Sequence, residues 1–190
     1  MRVIAGQYRS RPLRSLRGMD LRPTSDRLRE TLFDVLTAGN PSALSGTVWI
    51  DLYAGTGAVG IEALSRGARM VYFVESASSA VQLIRTNLQS LKLEAGWKIL
   101  KQDAIRALSE LDSSGVMADV VFLDPPYRME DEYHRSLQLL GNSALLNARS
   151  TVIAEHMKRF DPGSSFGHLN RSRKLEQGDA ALSCYRMVQQ

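Results

Sequence analysis

Asp51, Glu75, Asp103 and Asp124 each stand at or just past the end of a short apolar run, and the first of them opens Asp51-Leu52-Tyr53-Ala54-Gly55-Thr56-Gly57-Ala58-Val59-Gly60. Gly55, Gly57 and Gly60 satisfy G-x-G-x-x-G, which lets a backbone turn sharply and approach a ligand in front of a helix N-terminus. Alone, that pattern fits a dinucleotide as well as S-adenosylmethionine, and a single match is often only a tight strand-to-helix turn. The acids decide between them. Glu75 lies twenty positions past Gly55, where a carboxylate can accept hydrogen bonds from both hydroxyls of a ribose. Four carboxylates around one crevice would repel a pyrophosphate but suit a ligand carrying a sulfonium and an ammonium, so the pattern favours S-adenosylmethionine over NAD. Any one of these acids could instead cap a helix; four together argue for a site.

The fourth acid opens Asp124-Pro125-Pro126-Tyr127. Two prolines directly after a buried strand each remove an N–H and stiffen φ, a poor choice unless rigidity is the use. An exocyclic amine on a base is a weak nucleophile because its lone pair is delocalised into the ring. If the Asp124 carboxylate and the Pro125 carbonyl accept its two N–H bonds, the nitrogen can pyramidalise and aim that lone pair at the sulfonium methyl. Prolines keep those acceptors still, and Tyr127 offers a face on which a flipped or unpaired base stacks. The alternative is a plain turn with a capping Asp, which the upstream glycines and acids disfavour. This route needs no strong base before the methyl moves. The three histidines, of which His134 is nearest the loop, therefore read as structural, and the excess amine proton leaves to solvent.

The elements that must position these residues follow from periodicity. Apolar runs without polar alternation cover 47–51, 70–75, a weaker 97–100, 118–123 and 151–155, and helical stretches at 59–66, 79–91, 104–111 and 134–140 separate them. Strands of that kind divided by helices mean a parallel sheet covered on both faces, hence a doubly wound, mostly parallel α/β fold. Residues 166–175 and 180–188 read as two closing strands around Gln177-Gly178-Asp179. Upstream, Leu28, Leu32, Val35 and Leu36 form one helix face, with Thr24 or Ser25 as cap, Asp26 in the first turn and Gly39-Asn40-Pro41 as stop. Before it, Arg2-Val3-Ile4-Ala5-Gly6 and Arg11-Pro12-Leu13 read as a small basic hairpin.

A chain of 190 residues suits one domain, here a basic N-terminal extension (1–24) on a catalytic α/β core (25–190). With 44% hydrophobic and 23% charged residues, the composition excludes a disordered or fibrous chain. No apolar run reaches the length of a membrane span, and no apolar segment follows the N-terminal arginines, so a cytoplasmic protein without membrane attachment is expected. The single Cys184 cannot form an internal disulfide and has no ligand-spaced neighbours, so no structural metal is expected. Charge is uneven. Residues 1–30 hold eight arginines against Asp20, Asp26 and Glu30, a surplus of five, whereas the whole chain carries +4. Every cation in that segment is Arg, the side chain that forks onto phosphate and stacks on bases, so the segment reads as either a polyanion-facing arm or a solvated surface.

At this point the chain resembles a known family. Asp124-Pro125-Pro126-Tyr127 is similar to the motif of amino-group methyltransferases of adenine, cytosine or guanine. Arg22-Pro23-Thr24, Asp26-Arg27, Arg29-Glu30-Thr31-Leu32-Phe33 and the stretch from Asp51 to Ala68 resemble, almost end to end, the RsmD family of 16S ribosomal RNA guanine-N2 methyltransferases, with the likeness fading beyond Glu155. The resemblance implies a class I S-adenosylmethionine-dependent fold with a seven-stranded sheet, no metal, and a guanine N2 substrate in an assembling 30S subunit, acted on by a monomer. By position it implies that Asp51, Ala54, Gly55, Thr56, Gly57, Glu75, Asp103 and Ala104 hold the cofactor, with Asp103 near the adenine. Asp124, Pro125, Pro126 and Tyr127 would then serve catalysis, and Arg9, Arg11, Arg14, Arg22 and Arg27 would meet RNA. Arg171-Ser172-Arg173-Lys174 is either a second RNA contact or a solvated strand end. A DNA adenine or cytosine methyltransferase would use the same loop but needs a target-recognition segment that this chain has no room for. A protein-glutamine methyltransferase has Asn where Asp124 stands. A non-catalytic assembly factor retaining the pocket is the remaining alternative, which the intact acids disfavour.

Overall fold

The protein is described from a computed structural model over residues 1–15 and 25–188; Arg17, Asp20, Arg22, Pro23 and Thr24 lie outside the described residues. Five strands run parallel: β1 (Val48–Leu52), β2 (Met70–Val74), β3 (Trp97–Leu100), β4 (Val120–Leu123) and β5 (Thr151–Met157). Three antiparallel strands, β6 (Ser165–Phe166), β7 (Leu169–Gln177) and β8 (Ala180–Met187), extend the sheet in the order β3-β2-β1-β4-β5-β8-β7-β6. The order reverses between β1 and β4, so a crevice opens beyond their carboxyl ends, where ligands of doubly wound sheets bind.

The doubly wound α/β class is as the periodicity predicts, with one strand more than the seven the resemblance implied. The expected closing strand at 166–175 divides at Gly167, whose φ of 56° turns the chain so that Phe166 pairs back onto Leu169 as β6. The N-terminal hairpin is reduced to a single antiparallel bridge between Arg2 and Pro12. Pro12 lacks the N–H a longer ladder would need.

Alternation along the strands sorts the core into two layers. Trp49, Val71, Phe73, Phe122 and Ile153 face α1 (Asp26–Thr37), α2 (Ala58–Ser65) and α3 (Ser78–Ser90). Ile50, Val74, Val121, Leu123 and Val152 face α4 (Ala104–Ser113) and α5 (Glu130–Gly141). Ser25 caps α1 by accepting the Leu28 N–H at 3.1 Å, as the sequence allows. Helix α5 starts four residues earlier than its apolar spacing suggests, because Glu130, Asp131 and Glu132 form an acidic first turn that suits the positive helix end.

All eight residues of α2 are buried, because residues 1–15 lie across it. Val3 and Leu13 enter the core, and the arm's backbone is held by polar side chains from the helices beneath. Glu62 accepts the N–H groups of Ile4 and Ala5 at 2.7 and 2.9 Å. Ser65 accepts from Tyr8 and donates to the Ala5 carbonyl. Asn87 on α3 accepts the Arg14 N–H at 2.8 Å and donates to its carbonyl at 3.2 Å. One member of the basic segment belongs to this frame: Arg29 is fully buried, donating to the Arg2 carbonyl and to Asp26.

Candidate active site

The crevice is a cavity of about 690 Å³ beyond the ends of β1, β2, β3 and β4. Glu75, Asp103, Asp124 and Glu132 bring carboxylates to its wall, and Val74, Ala80, Ala104 and Pro125 give it an apolar floor. Such a lining fits a ligand with a flat apolar part and positive charge, which is the character of S-adenosylmethionine.

Each wall residue is placed by its element. Glu75 follows β2; one carboxylate oxygen accepts the Gly55 N–H at 2.9 Å and the other the Ala77 N–H at 2.8 Å, so it is pinned between the glycine turn and the start of α3. Asp103 follows β3 and caps α4, accepting from Ile105 and Arg106 through Oδ1. Helix cap and cavity wall are thus the same residue. Gly60 lets α2 press on the sheet: a Cβ there would stand 2.3 Å from the Phe73 ring, and that contact aims the helix N-terminus at the crevice.

Asp51 is brought to the same region but does not line the cavity. It is 2% exposed and its carboxylate accepts the Gly60 N–H at 2.9 Å, tying the end of β1 to α2 beneath the glycine turn. Burial pushes it up to about 8, although the Gly60 hydrogen bond opposes this. Ala54, Thr56 and Gly57 also lie behind the turn that Gly55 presents. The Ala54 carbonyl accepts the Gly57 N–H at 2.7 Å and the Thr56 carbonyl accepts from Asn87 at 3.0 Å, so they shape the loop from behind.

Asp124, Pro125, Pro126 and Tyr127 line the same cavity as one continuous stretch. Burial, then the charges of Glu155 and Asp51, holds the Asp124 carboxyl well above the usual carboxylate range. Behind the loop, the buried Tyr133 hydroxyl donates to the Glu155 carbonyl at 2.8 Å and reaches the Pro125 carbonyl at 3.3 Å. The hydroxyl has one proton, so the Glu155 carbonyl takes the stronger share and the Pro125 carbonyl the weaker, which leaves the Pro125 lone pairs largely free to accept.

Several lining residues carry no motif. Tyr53 has a φ of 60°, unusual for a bulky side chain and typical of strained functional positions. Its hydroxyl donates to Glu132 at 2.8 Å and lies 3.0 Å from Ser136 Oγ, so α5 closes one side of the cavity. Ser76 and Gln102 also line it; each adjoins a predicted acid, and reading one residue to either side of those acids finds them. Glu132 and Met129 carry no such signal. Of the arginines expected to meet RNA, Arg9, Arg11, Arg14 and Arg27 are exposed, and Arg22 lies outside the described residues. Among the described residues, no group of three or more His, Cys, Asp or Glu is placed to hold a metal ion, and no helix is long and apolar enough to cross a membrane.

This sheet order, with an acid-lined crevice at its switch point, is that of a class I S-adenosylmethionine-dependent methyltransferase. The solved structure of yhhF from Escherichia coli agrees, with a TM-score of 0.82 and 30% identity over 98% of this chain and 97% of that one. Residues 1–186 match the family described as Conserved hypothetical protein 95. Ribosomal RNA small subunit methyltransferase D of E. coli K12 is 36% identical over 155 residues, 82% of this chain and 74% of its own. YlbH of Bacillus subtilis (strain 168) is 32% identical over 186 residues, 98% of each chain. The chain belongs to the RsmD family.

Proposed function

We propose that the protein transfers a methyl group to the exocyclic N2 of a guanine in 16S ribosomal RNA, presented in an assembling small subunit. The observation that carries this reading is that Asp124, Pro125 and Tyr127 line one cavity with Glu75 and Asp103, with the Pro125 carbonyl in reach of the buried Tyr133 hydroxyl. The relatives named for small-subunit ribosomal RNA supply the substrate class.

Bound S-adenosylmethionine supplies an electrophilic methyl on a positively charged sulfur. Everything else is asked of the chain. Glu75, already oriented by two backbone N–H groups, would accept from the ribose hydroxyls, and Asp103 and Ala104 would hold the adenine. Gly55 presents a backbone without a side chain to the ligand, while Asp51 and the turn of Ala54, Thr56 and Gly57 keep that backbone in place. Tyr127 stacks the guanine, and Asp124 with Pro125 accepts the two amine N–H bonds so that the nitrogen lone pair leaves the ring plane. With the cofactor bound, transfer would form the N–C bond as the methyl's C–S bond breaks, leaving a neutral thioether. The surplus proton departs from nitrogen to solvent. Nothing in this scheme requires a metal ion, because the acceptors act on the amine directly. The whole chain works as one domain and as a monomer. Arg9, Arg11, Arg14 and Arg27 contact RNA phosphates in this reading, which their exposure permits.

Incubation with methyl-labelled cofactor and, separately, 16S RNA, isolated 30S particles, DNA and protein tests the reading. Label should enter 30S particles as N2-methylguanosine. Label in DNA or protein, or on another atom of the base, would overturn it.

A further inference from the structure

Met129 breaks two rules at once. It occupies the N-cap of α5 with no side-chain cap hydrogen bond, a position where Ser, Thr, Asp or Asn stabilises a helix and an apolar residue does not. It also leaves 47% of its surface in water. Among the described residues the other exposed large hydrophobics are Met117 and Val188, and neither lines the cavity. Met129 does, and it also borders the shallower depression outside it that Tyr127, Arg128 and Arg135 share. Its backbone is tied on both sides: the Met129 N–H bonds the Pro126 carbonyl at 2.7 Å, and the Glu132 N–H bonds its carbonyl at 3.0 Å. Local rules that fail together without a structural gain mark a functional position.

A base entering the cavity must leave its neighbours in the RNA stack. Tyr127 covers a face of the departing base, but nothing assigned so far covers the face of the neighbour left behind. Apolar side chains, Met among them, can fill such gaps between bases, and an unbranched thioether adapts to an irregular one. We propose that Met129 is an apolar wedge that packs against the nucleotide flanking the target base and holds open the gap it vacates. The inference rests on the ribosomal RNA reading above and adds to it the residue that makes the extruded state affordable.

The test uses the full chain, 30S particles as substrate, and S-adenosylhomocysteine as the cofactor-site probe. Met129→Ser places a capping hydroxyl three residues before Glu132, the capping-box pattern, so its melting temperature should rise or hold. Its kcat/KM on particles should nevertheless fall tenfold or more, while affinity for S-adenosylhomocysteine stays within twofold. Met129→Leu, apolar and of similar size, should keep at least half the normal rate. A structural role would instead make stability and rate fall together. The inference is overturned if Met129→Ser methylates normally, if affinity for S-adenosylhomocysteine drops in step with rate, or if Met129→Leu is as impaired as Met129→Ser. Wild-type labelling of DNA in place of RNA would overturn the ribosomal reading alone, since the same series then reads the wedge on DNA; labelling of protein would overturn both.

Discussion

Cofactor binding should expel protons, and its affinity should climb with pH through the neutral range. Asp51, Asp124 and Glu155 stand at the carboxyl ends of the adjacent strands β1, β4 and β5. Burial pushes Asp51 up to about 8, and burial with repulsion from Glu155 and Asp51 raises Asp124 well above its ordinary value. A raised carboxyl is disfavoured when ionised, so the free protein should lose stability as pH climbs from the ordinary carboxylate range through about 8. A sulfonium in the crevice favours the ionised form, so binding should release a proton wherever the free protein still holds one. For one carboxyl near 8 in the free protein that the sulfonium's charge lowers, up to about one proton leaves at neutral pH. Affinity then rises by at most about tenfold per pH unit, levelling off above the free-protein value. Titration calorimetry at about pH 6.5, 7.5 and 8.5, each in two buffers of different ionisation enthalpy, counts the protons. S-adenosylhomocysteine keeps the methionine end and lacks the sulfonium, so its shallower profile is the control. Asp51→Asn should remove part of the slope. Buffer-independent heats, with affinity varying less than twofold across this range, would refute the coupling of strand-end carboxyls to the cofactor's charge.

Asp124→Ala should keep the fold and the cofactor yet lose on the order of 10²–10³ in kcat, about 3–4 kcal/mol; near-normal single-turnover methylation of 30S particles by a folded variant would contradict the amine-acceptor role. Tyr127→Ala should cost roughly 1–3 kcal/mol of base stacking, with Tyr127→Phe mild; a crippled Tyr127→Phe in the same assay would assign chemistry to the phenol. Glu75→Ala should weaken S-adenosylmethionine binding by roughly 1.5–3 kcal/mol, and calorimetry finding no change would remove Glu75 from the site. Replacing Arg9, Arg11 and Arg14 together should flatten the log–log salt dependence of RNA binding by about 2, at ~0.7 per phosphate contact; an unchanged slope in filter binding would return the arm to a solvated surface.

How much of this was legible beforehand depended on the range of the contacts involved. Strands from β1 to β5 and the helices between them follow from apolar runs and local stops, and Glu75, Asp103 and Asp124 fall where those runs end. The indirect role of Asp51 was not legible, because its partner is a backbone N–H nine positions away on a helix whose approach depends on Gly60. Arg29 counts as a cation in any composition, yet the fold buries it. Its surroundings come from Arg2 and Asp26, and no periodicity connects the first of these with α1. The cavity's α5 side was equally hidden: Tyr53 and Glu132 meet across 79 positions, and only the packing of α5 over the sheet brings them together.

The arm has a further consequence for how such an enzyme can change its substrate. Glu62, Ser65 and Asn87 grip it almost wholly through its main chain, at Ile4, Ala5, Gln7, Tyr8 and Arg14. A bracket of this kind is indifferent to most of the side chains it carries. It demands little more than Val3 and Leu13 in the core and Gly6 over α2, where a Cβ would stand 1.9 Å from the Ser65 carbonyl oxygen. Residues 9 and 11 can therefore be rewritten, in charge or in reach, without loosening the mount or disturbing the cofactor crevice. If the arm is the RNA contact proposed above, recognition and chemistry can drift independently on this scaffold, joined at Asn87, whose single amide holds Arg14 on one side and Thr56 on the other.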